Sequence, residues 1–450
     1  MNLFIRRLIY LSFFAVFFIA TTTLILYLQG WRYNADLRKI VRTGAIMIDT
    51  EPTDVRVYLN NKLNSATAPN TVGSLAPQNY DVRLEADGYQ TWRKQLSVKP
   101  STVTFTGPLH LWPNQAEGNI IVLGKIKLSE LSPNRENLLY NIESGLNAGL
   151  WVINLTSGKS VLLDRSASRK FEKIEWSPSS HLFLAKTTVA SSRSWEIFDL
   201  ALKTWQKLNL PTAVKITSVH WGESNDNIYF STTDELYLFN RTTNAAKLVW
   251  RERLLDFRVN DGLVFGLSGN ATSSIIIKLL NLASLQTILL EQPAALSNNL
   301  EFGPAGQNWL PLFDRDRHSL YLLHSPFSEI NPIRRLPEVT SLDWSLDYKH
   351  LLINNNIEVW DYDIAQDKTN FIVRLSTPIS QTRYYIDQPY IIMAIDKEIW
   401  AMELDSRDIQ QRWLLAQYNQ PVQDIYLEQL GKTLIVTTAE KIYSLNLMTP

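Results

Sequence analysis

Residues 171–200 read FEKIEWSPSSHLFLAKTTVASSRSWEIFDL. A short strand ends in Trp176 and turns at Ser177-Pro178. The apolar triplet Leu182-Phe183-Leu184 follows, and the aromatic-rich strand Trp195-Glu196-Ile197-Phe198 comes after it. Aromatic and β-branched residues in short runs between turn signals predict strands. The same three-part unit recurs along the chain. Its first anchor falls at Leu131, Trp176, Trp221, Val259, Phe302, Trp344, Tyr385 and Leu427, with spacings of 45, 45, 38, 43, 42, 41 and 42 residues.

Turns follow most anchors, as at Ser132-Pro133, Gly222-Glu223, Asn260-Asp261-Gly262, Gly303-Pro304 and Ser345. The triplet returns as Leu138-Leu139-Tyr140, Ile228-Tyr229-Phe230, Leu351-Leu352-Ile353 and Ile391-Ile392-Met393. The third element returns as Leu236-Tyr237-Leu238-Phe239, Ile357-Glu358-Val359-Trp360 and Ile399-Trp400-Ala401-Met402. This period is that of four-stranded propeller blades. One such sheet cannot bury both of its faces alone, and radial stacking hides them against neighbours. The last unit leaves room for only three strands before Pro450, and Asn119–Leu123 is the run that supplies a fourth and closes the ring. The expectation is an eight-bladed β-propeller over residues 118–450, with seven blades as the alternative. In build it resembles the WD class of repeats, although Trp360-Asp361 is the single Trp-Asp copy.

At the other end, residues 8–28 read LIYLSFFAVFFIATTTLILYL without a charge. A helix of that length spans about 30 Å of hydrocarbon. Arg6 and Arg7 precede it, and Trp31 and Tyr33 follow as interfacial aromatics. A cleaved signal would have a shorter apolar region and small residues at its end. The reading is an uncleaved single-pass anchor with residues 1–7 cytoplasmic and everything after it outside. Arg32, Arg38, Lys39 and Arg42 lie on the far side and pull the other way. Residues 29–43 read as a polar stalk.

From Gly44 the pattern becomes β. Val55, Val57 and Leu59 alternate with polar residues, as do Tyr80, Val82 and Leu84. Trp92, Lys94, Leu96 and Val98 share one face, and Asn60-Asn61 and Asp87-Gly88 mark turns. The expectation is a compact antiparallel sandwich at 44–105. Gly44, Pro52-Thr53-Asp54-Val55, Asn60-Asn61-Lys62, Ala68-Pro69, Leu75-Ala76-Pro77-Gln78-Asn79-Tyr80 and Gly88-Tyr89-Gln90-Thr91-Trp92 together resemble the PEGA domain. Three glycines of that pattern are replaced, by Asp54, Asn61 and Gln78. Asp and Asn are the residues best able to stand in left-handed turns, and Asn79 is placed to do so beside Gln78. The resemblance implies an extracytoplasmic, surface-associated interaction domain of bacterial type and brings no catalytic residues.

Composition narrows the chemistry. Lys+Arg and Asp+Glu are both 44, with no basic excess for nucleic acid. With no cysteine there are no disulfides, thiolate metal sites or cysteine nucleophiles. No Gly-x-Ser-x-Gly elbow and no phosphate loop occur. His318 and His324 flank one strand but read as ordinary histidines. Asp361, Asp363 and Asp367 lack the glycine of a calcium loop. Asp314-Arg315-Asp316-Arg317 reads as a hairpin tip, and the Asn154, Asn240 and Asn270 glycosylation patterns read as chance. No metal and no cofactor are expected.

Trp176, Trp221 and Trp344 share a repeat position and read as packing between blades. Trp112, Trp205, Trp309 and Trp413 fall outside it and are the candidate surface binding residues. The function expected is a membrane-anchored binding or scaffolding protein of the bacterial cell envelope, without enzymatic activity, whose partner is an extracytoplasmic protein or glycan. The alternatives are an enzyme acting on glycan or peptide through channel carboxylates, and a self-associating envelope component.

Overall fold

The computed structural model describes the chain except for residues 1–2, 35–37, 66, 68–69, 115–117, 166–168, 190–191, 209–214, 270–274, 291–295, 325–332, 387–388 and 450. Pro69, the Asn270 pattern and Pro450 therefore lie outside the described residues. The remainder is one helix followed by β-structure.

The helix runs over Leu3–Leu28, and its stretch Phe4–Leu28 is long and apolar enough to cross a membrane and is not buried by the rest of the chain. That property is shared by anchors and signal sequences. The expected stalk is in fact a hairpin, Trp31–Asn34 paired with Lys39–Arg42. Trp31 and Tyr33 on the first arm and the β-branched Ile40 and Val41 on the second suit these residues to strand pairing.

Two sheets form the small domain. One has the order Asn70–Leu75, Gly44–Glu51, Val103–His110; the other has the order Lys62–Ser65, Arg56–Leu59, Asn79–Glu85, Trp92–Ser97. Ile46, Ile48, Val57, Val82, Leu84, Trp92 and Leu96 meet between them. Two corrections follow. The domain does not stop at 105, because Val103–His110 is one continuous strand. Nor is it wholly antiparallel, since that strand runs parallel to Gly44–Glu51. A parallel pair needs a long crossover, and the entire second sheet supplies it.

Asn60 and Asn61 both have left-handed backbone, φ 48° and 66°, as a two-residue hairpin turn demands. Asp54, Gln78 and Asn79 do not, so those replaced glycines needed no left-handed substitute here. Gly44 is required for a different reason. A Cβ there would lie 2.4 Å from the Lys99 carbonyl oxygen and 2.6 Å from Val98 Cγ1.

Eight four-stranded antiparallel sheets follow, at 126–164, 169–207, 218–250, 254–289, 300–337, 341–374, 379–417 and 424–446. We number these blades 1 to 8. The eighth takes its outermost strand from Asn119–Leu123, which pairs with Lys441–Asn446, so the two ends of the ring share one sheet. The middle strands, such as Leu263–Ser268 and Tyr390–Ile395, are buried at every position, as strands covered on both faces must be. The predicted interblade tryptophans tie the ring together. The indole of Trp176 donates to the Glu130 carbonyl, Trp221 to Glu175 and Trp344 to Pro304, each on the preceding blade, at 3.1, 3.0 and 2.9 Å.

The small domain is fused to blades 7 and 8. A single apolar core joins Trp92, Leu109 and Trp112 to Tyr385, Tyr390, Trp413 and Leu447. Polar groups complete the joint. Lys94 Nζ, fully buried, sits 2.8 Å from Glu403 Oε2 and 3.3 Å from Asp405 Oδ2. Trp92 Nε1 donates to the other Glu403 oxygen at 3.2 Å. Gln411 brackets Arg93, accepting from its N–H and donating to its carbonyl, and Asp408 accepts from the Gln95 N–H. The loop of blade 7 thus covers the free edge of strand Trp92–Ser97, an edge that would otherwise invite pairing. His110 Nε2 lies 2.9 Å from the Leu447 carbonyl, so that nitrogen carries the hydrogen, and burial lowers the imidazole to about 4.

Removing one member of a buried ion pair strands the other. Lys94→Met is therefore expected to destabilise the chain by ~3–5 kcal/mol, and adding Glu403→Leu to restore most of that loss. Denaturant midpoints of the two variants check this. Equal losses in both would mean that packing, not charge, holds the joint.

Candidate functional site

The innermost strand of every blade lines the propeller axis, and the residue before each anchor is polar or hydroxylated around the ring. These are Glu130, Glu175, His220, Arg258, Glu301, Asp343, Tyr384 and Tyr426. Glu130 is repelled electrostatically by Asp424, Glu175 and Glu301. Glu301 belongs to blade 5, opposite blade 1, so these carboxylates face one another across the axis. Glu130 and Glu301 are exposed, while Glu175, Asp256, Asp343 and Asp424 are half-buried. Groups walled by protein yet touched by solvent are what a narrow water-filled channel presents.

The channel has two electrostatic halves. On blades 2 to 4 the charges are matched. His220 Nδ1 lies 2.7 Å from Glu175 Oε2 and its Nε2 lies 2.9 Å from Asp256 Oδ1, with Arg258 against the same ring. Burial alone would raise Glu175, but His220, Arg258 and Lys173 outweigh it and hold the carboxyl at about 2. Asp256 is held below the usual range by the same neighbours against the same burial. On blades 6, 8 and 1 the balance reverses. Burial pushes Asp343 and Asp424 up, with Arg383 opposing in both cases. Burial, then Asp424 and Glu175, push Glu130 up to about 7.

At one mouth of this channel is a cavity of about 330 Å³. Its walls are the turns after the Trp344 and Tyr385 anchors, with Leu346, Asp347, Tyr384 and Ile386, and Arg135 reaches in from the turn of blade 1. Arg135 also lowers Asp343 electrostatically, which ties the mouth to the channel floor. Leu346 in its wall is exposed. The cavity can offer an apolar and aromatic wall, one cation and one carboxylate to a bound segment.

The candidate surface tryptophans are not there. Trp112 is fully buried in the joint, its ring 4.4 Å from His110 and 4.9 Å from Tyr385. Trp413 is buried beside it and donates to the Thr91 carbonyl. Trp309 is buried between His324 and the Arg334 guanidinium. Trp205 is half-buried on Phe171, Phe183 and Phe198, with Arg169 over its ring. Standing outside the repeat position did not make them exposed, because two of them serve the domain joint and two pack within or beside a blade. The PEGA-pattern residues are structural: Val55, Tyr80 and Trp92 are buried, and Tyr89 donates to the Met448 carbonyl across the joint.

The remaining polar motifs are used internally. Asp314 is buried and accepts from the Ser297 and Arg317 N–H groups, while Arg315 pairs with Glu301. Asp361 accepts from the Tyr384 hydroxyl, Asp363 from the Gln366 N–H and Asp367 from the Tyr362 hydroxyl, so the three do not converge. Asn154 and Asn240 each cap a turn by accepting from the N–H three residues on. The channel carboxylates expected in the enzyme alternative carry no residue numbers in the sequence reading, and the polar residue before each anchor is the signal that locates them.

Folded Glu130 keeps its proton up to about pH 7, whereas unfolded it releases it near 4.5. The folded chain then binds more protons in that window, and this group's contribution to stability falls as pH rises through it. The exposure of Glu130 to solvent makes the effect shallow. Glu130→Gln is expected to remove that component when unfolding midpoints are compared between pH 4.5 and 7. An unchanged slope would mean that Glu130 titrates as an ordinary surface carboxylate.

Residues 43–111 match the PEGA domain family model. Among solved structures the chain is similar to the Dos1 propeller, at 9% identity and TM-score 0.51, over 74% of this chain and 95% of that one. It is also similar to the C-terminal WD40 domain of Sif2, at 15% identity and TM-score 0.49, over 74% and 99%. Identities this low speak to fold alone. No curated protein matches the sequence. The chain thus carries a PEGA domain at 43–111, set between a membrane-length apolar helix and a β-propeller of eight four-stranded blades.

Proposed function

We propose that this protein is a membrane-anchored binding or scaffolding module of the bacterial cell envelope, and not an enzyme. The helix stays in the membrane with residues 1–7 in the cytoplasm, and the PEGA domain and propeller stand outside. The observation that carries this reading is the joint. A buried apolar core with a Lys94–Glu403 pair inside it locks the propeller onto the domain that follows the helix. A flexible tether would suit a roaming catalyst; a rigid one presents a fixed surface at a fixed height. Loops on a rigid ring suit recognition. The mouth with Leu346, Asp347 and Arg135 is the surface we assign to an extracytoplasmic protein or glycan partner.

One observation favours a second reading. Glu130, pushed up to about 7 among Asp424 and Glu175, has the proton-holding character of a general acid. That reading makes the channel an acid–base site acting on glycan or peptide. Under it, Glu130→Gln abolishes release of product from envelope fragments; under ours, it leaves partner capture intact.

The binding reading is tested on intact cells. A photo-reactive phenylalanine analogue replaces Leu346 at the mouth, or Leu202 on an exposed outer turn, in the full-length protein. The Leu346 position is expected to give a discrete adduct with another envelope component, and the Leu202 position little or none. Adducts containing only this chain would make it a self-associating structural component instead.

A further inference from the structure

The hairpin after the helix has no core of its own. A two-stranded hairpin alone is marginal in water and needs a further surface to pack on. Its close packing among the described elements is with the end of the helix. Residues directly opposite in an antiparallel pair share a face. With Trp31 opposite Arg42 and Tyr33 opposite Ile40, one face carries two aromatics, an isoleucine and an arginine. Tyr33 is 67% and Ile40 61% exposed. Arg32 and Lys39 stand on the other face, and Arg38 precedes Lys39.

The hairpin is also held to the helix. Arg32 donates to the carbonyls of Tyr27 and Trp31 at 2.5 and 2.9 Å, and its guanidinium lies 3.5 Å from the Tyr27 ring centre. Arg42 donates to the Gln29 carbonyl, and Thr43 to Gly30 through both its N–H and its hydroxyl. Of these acceptors only the Tyr27 carbonyl lies in the last turn of the helix, where it also accepts from the Gly30 N–H. Together the bonds fix where the hairpin lies. The Phe4–Leu28 helix is about 37 Å long at ~1.5 Å per residue, against a hydrocarbon layer of about 30 Å. A hairpin starting three residues past its end is held at the level of the lipid headgroups.

From this placement we propose that the paired strands Trp31–Asn34 and Lys39–Arg42, with Arg38, are a membrane-surface binding element that takes anionic phospholipid. Trp31, Tyr33 and Ile40 sink into the boundary between headgroups and acyl chains, where aromatic rings are favoured. Arg32, Arg38, Lys39 and Arg42 meet lipid phosphates, and a basic residue near an anionic surface contributes about 1 kcal/mol. Asp36 is the single acid between Leu28 and Gly44. Four cations just beyond the helix oppose the topology in which the chain's bulk is exported. Binding of anionic headgroups on that side gives them a use. The proposal rests on the anchor reading above and adds to it the lipid class and the residues that hold it.

The natural chain has no cysteine, so single labels are clean. Full-length Ile40→Cys and, as control, Leu146→Cys, whose leucine is 97% exposed on blade 1, carry a polarity-sensitive dye in nanodiscs. Spin-labelled lipid is expected to quench the Ile40→Cys label several-fold more strongly than the control. Native mass spectrometry of the full-length protein is expected to find phosphatidylglycerol retained over phosphatidylcholine. That preference is weakened in Arg38→Gln/Lys39→Gln, which leaves the Arg32 and Arg42 ties to the helix in place, and kept in Lys62→Gln/Lys99→Gln. Equal quenching at both positions, or a preference unchanged by the Arg38 and Lys39 substitutions, overturns the proposal and leaves the anchor standing. A cellular protein whose intact mass lacks the helix, or which does not float with membranes, removes the anchor reading and this proposal together.

Discussion

The whole molecule depends on one strand exchange: Asn119–Leu123 completing the sheet of Asp424–Leu427, Thr433–Thr437 and Lys441–Asn446. Each blade is apolar on two faces, so a linear stack would leave two such faces in water. Closing the stack into a ring removes both ends. The exchange is what keeps the ring shut, because blade 8 cannot leave blade 1 without breaking strand hydrogen bonds. Further contacts at the seam act with it: Gly124 donates to the Glu440 carbonyl, and the Tyr426 hydroxyl to the Ser129 carbonyl.

The closure also explains why the small domain is rigidly placed. Asn119 begins the closing strand, and Val103–His110 ends the PEGA domain a few residues earlier. The segment between them brings Leu111 and Trp112 into the common core, and Asn114 donates back to the Gly88 carbonyl. The chain thus enters the ring through the joint. Strand Trp92–Ser97 lies against blade 7, and Tyr89 and His110 reach the terminal segment at Met448 and Leu447. Domain docking and ring closure reinforce each other because they share residues.

Periodicity made the ring legible in sequence. The anchors, the triplets and the closing strand follow from burial on two faces, which leaves a mark every forty or so residues. The same logic made Lys94 visible but not intelligible. It sits in register with Trp92 and Leu96, on the core face of its strand, and only the approach of Glu403 from 309 residues later explains a lysine there. The four tryptophans outside the repeat show the converse. Position relative to a repeat tells which sheet a residue belongs to, not whether another domain covers it, as Trp112 and Trp413 demonstrate. Asp54 and Gln78 look like imperfect glycine replacements only if a left-handed turn is assumed, and the backbone there makes none. The channel was legible in part. Polar residues before each anchor were on view, but their pairing into a matched half and an acidic half depends on blades far apart in the chain.

That division of the channel has a physical consequence for what the propeller can hold. In the half around His220, the Glu175 and Asp256 carboxylates and the Arg258 guanidinium already contact the imidazole, so a ligand there would have to displace existing partners, and leaving a buried charge unpaired is costly. In the half around Glu130, Asp343 and Asp424, burial already strains the charged forms, and Asp424 and Glu175 add repulsion at Glu130. A cationic group entering from the mouth relieves that strain instead of adding to it. Arg135 stands at that entrance with its own positive charge. The channel therefore presents an electrostatically favourable floor for a cation behind an entrance that carries a positive charge of its own.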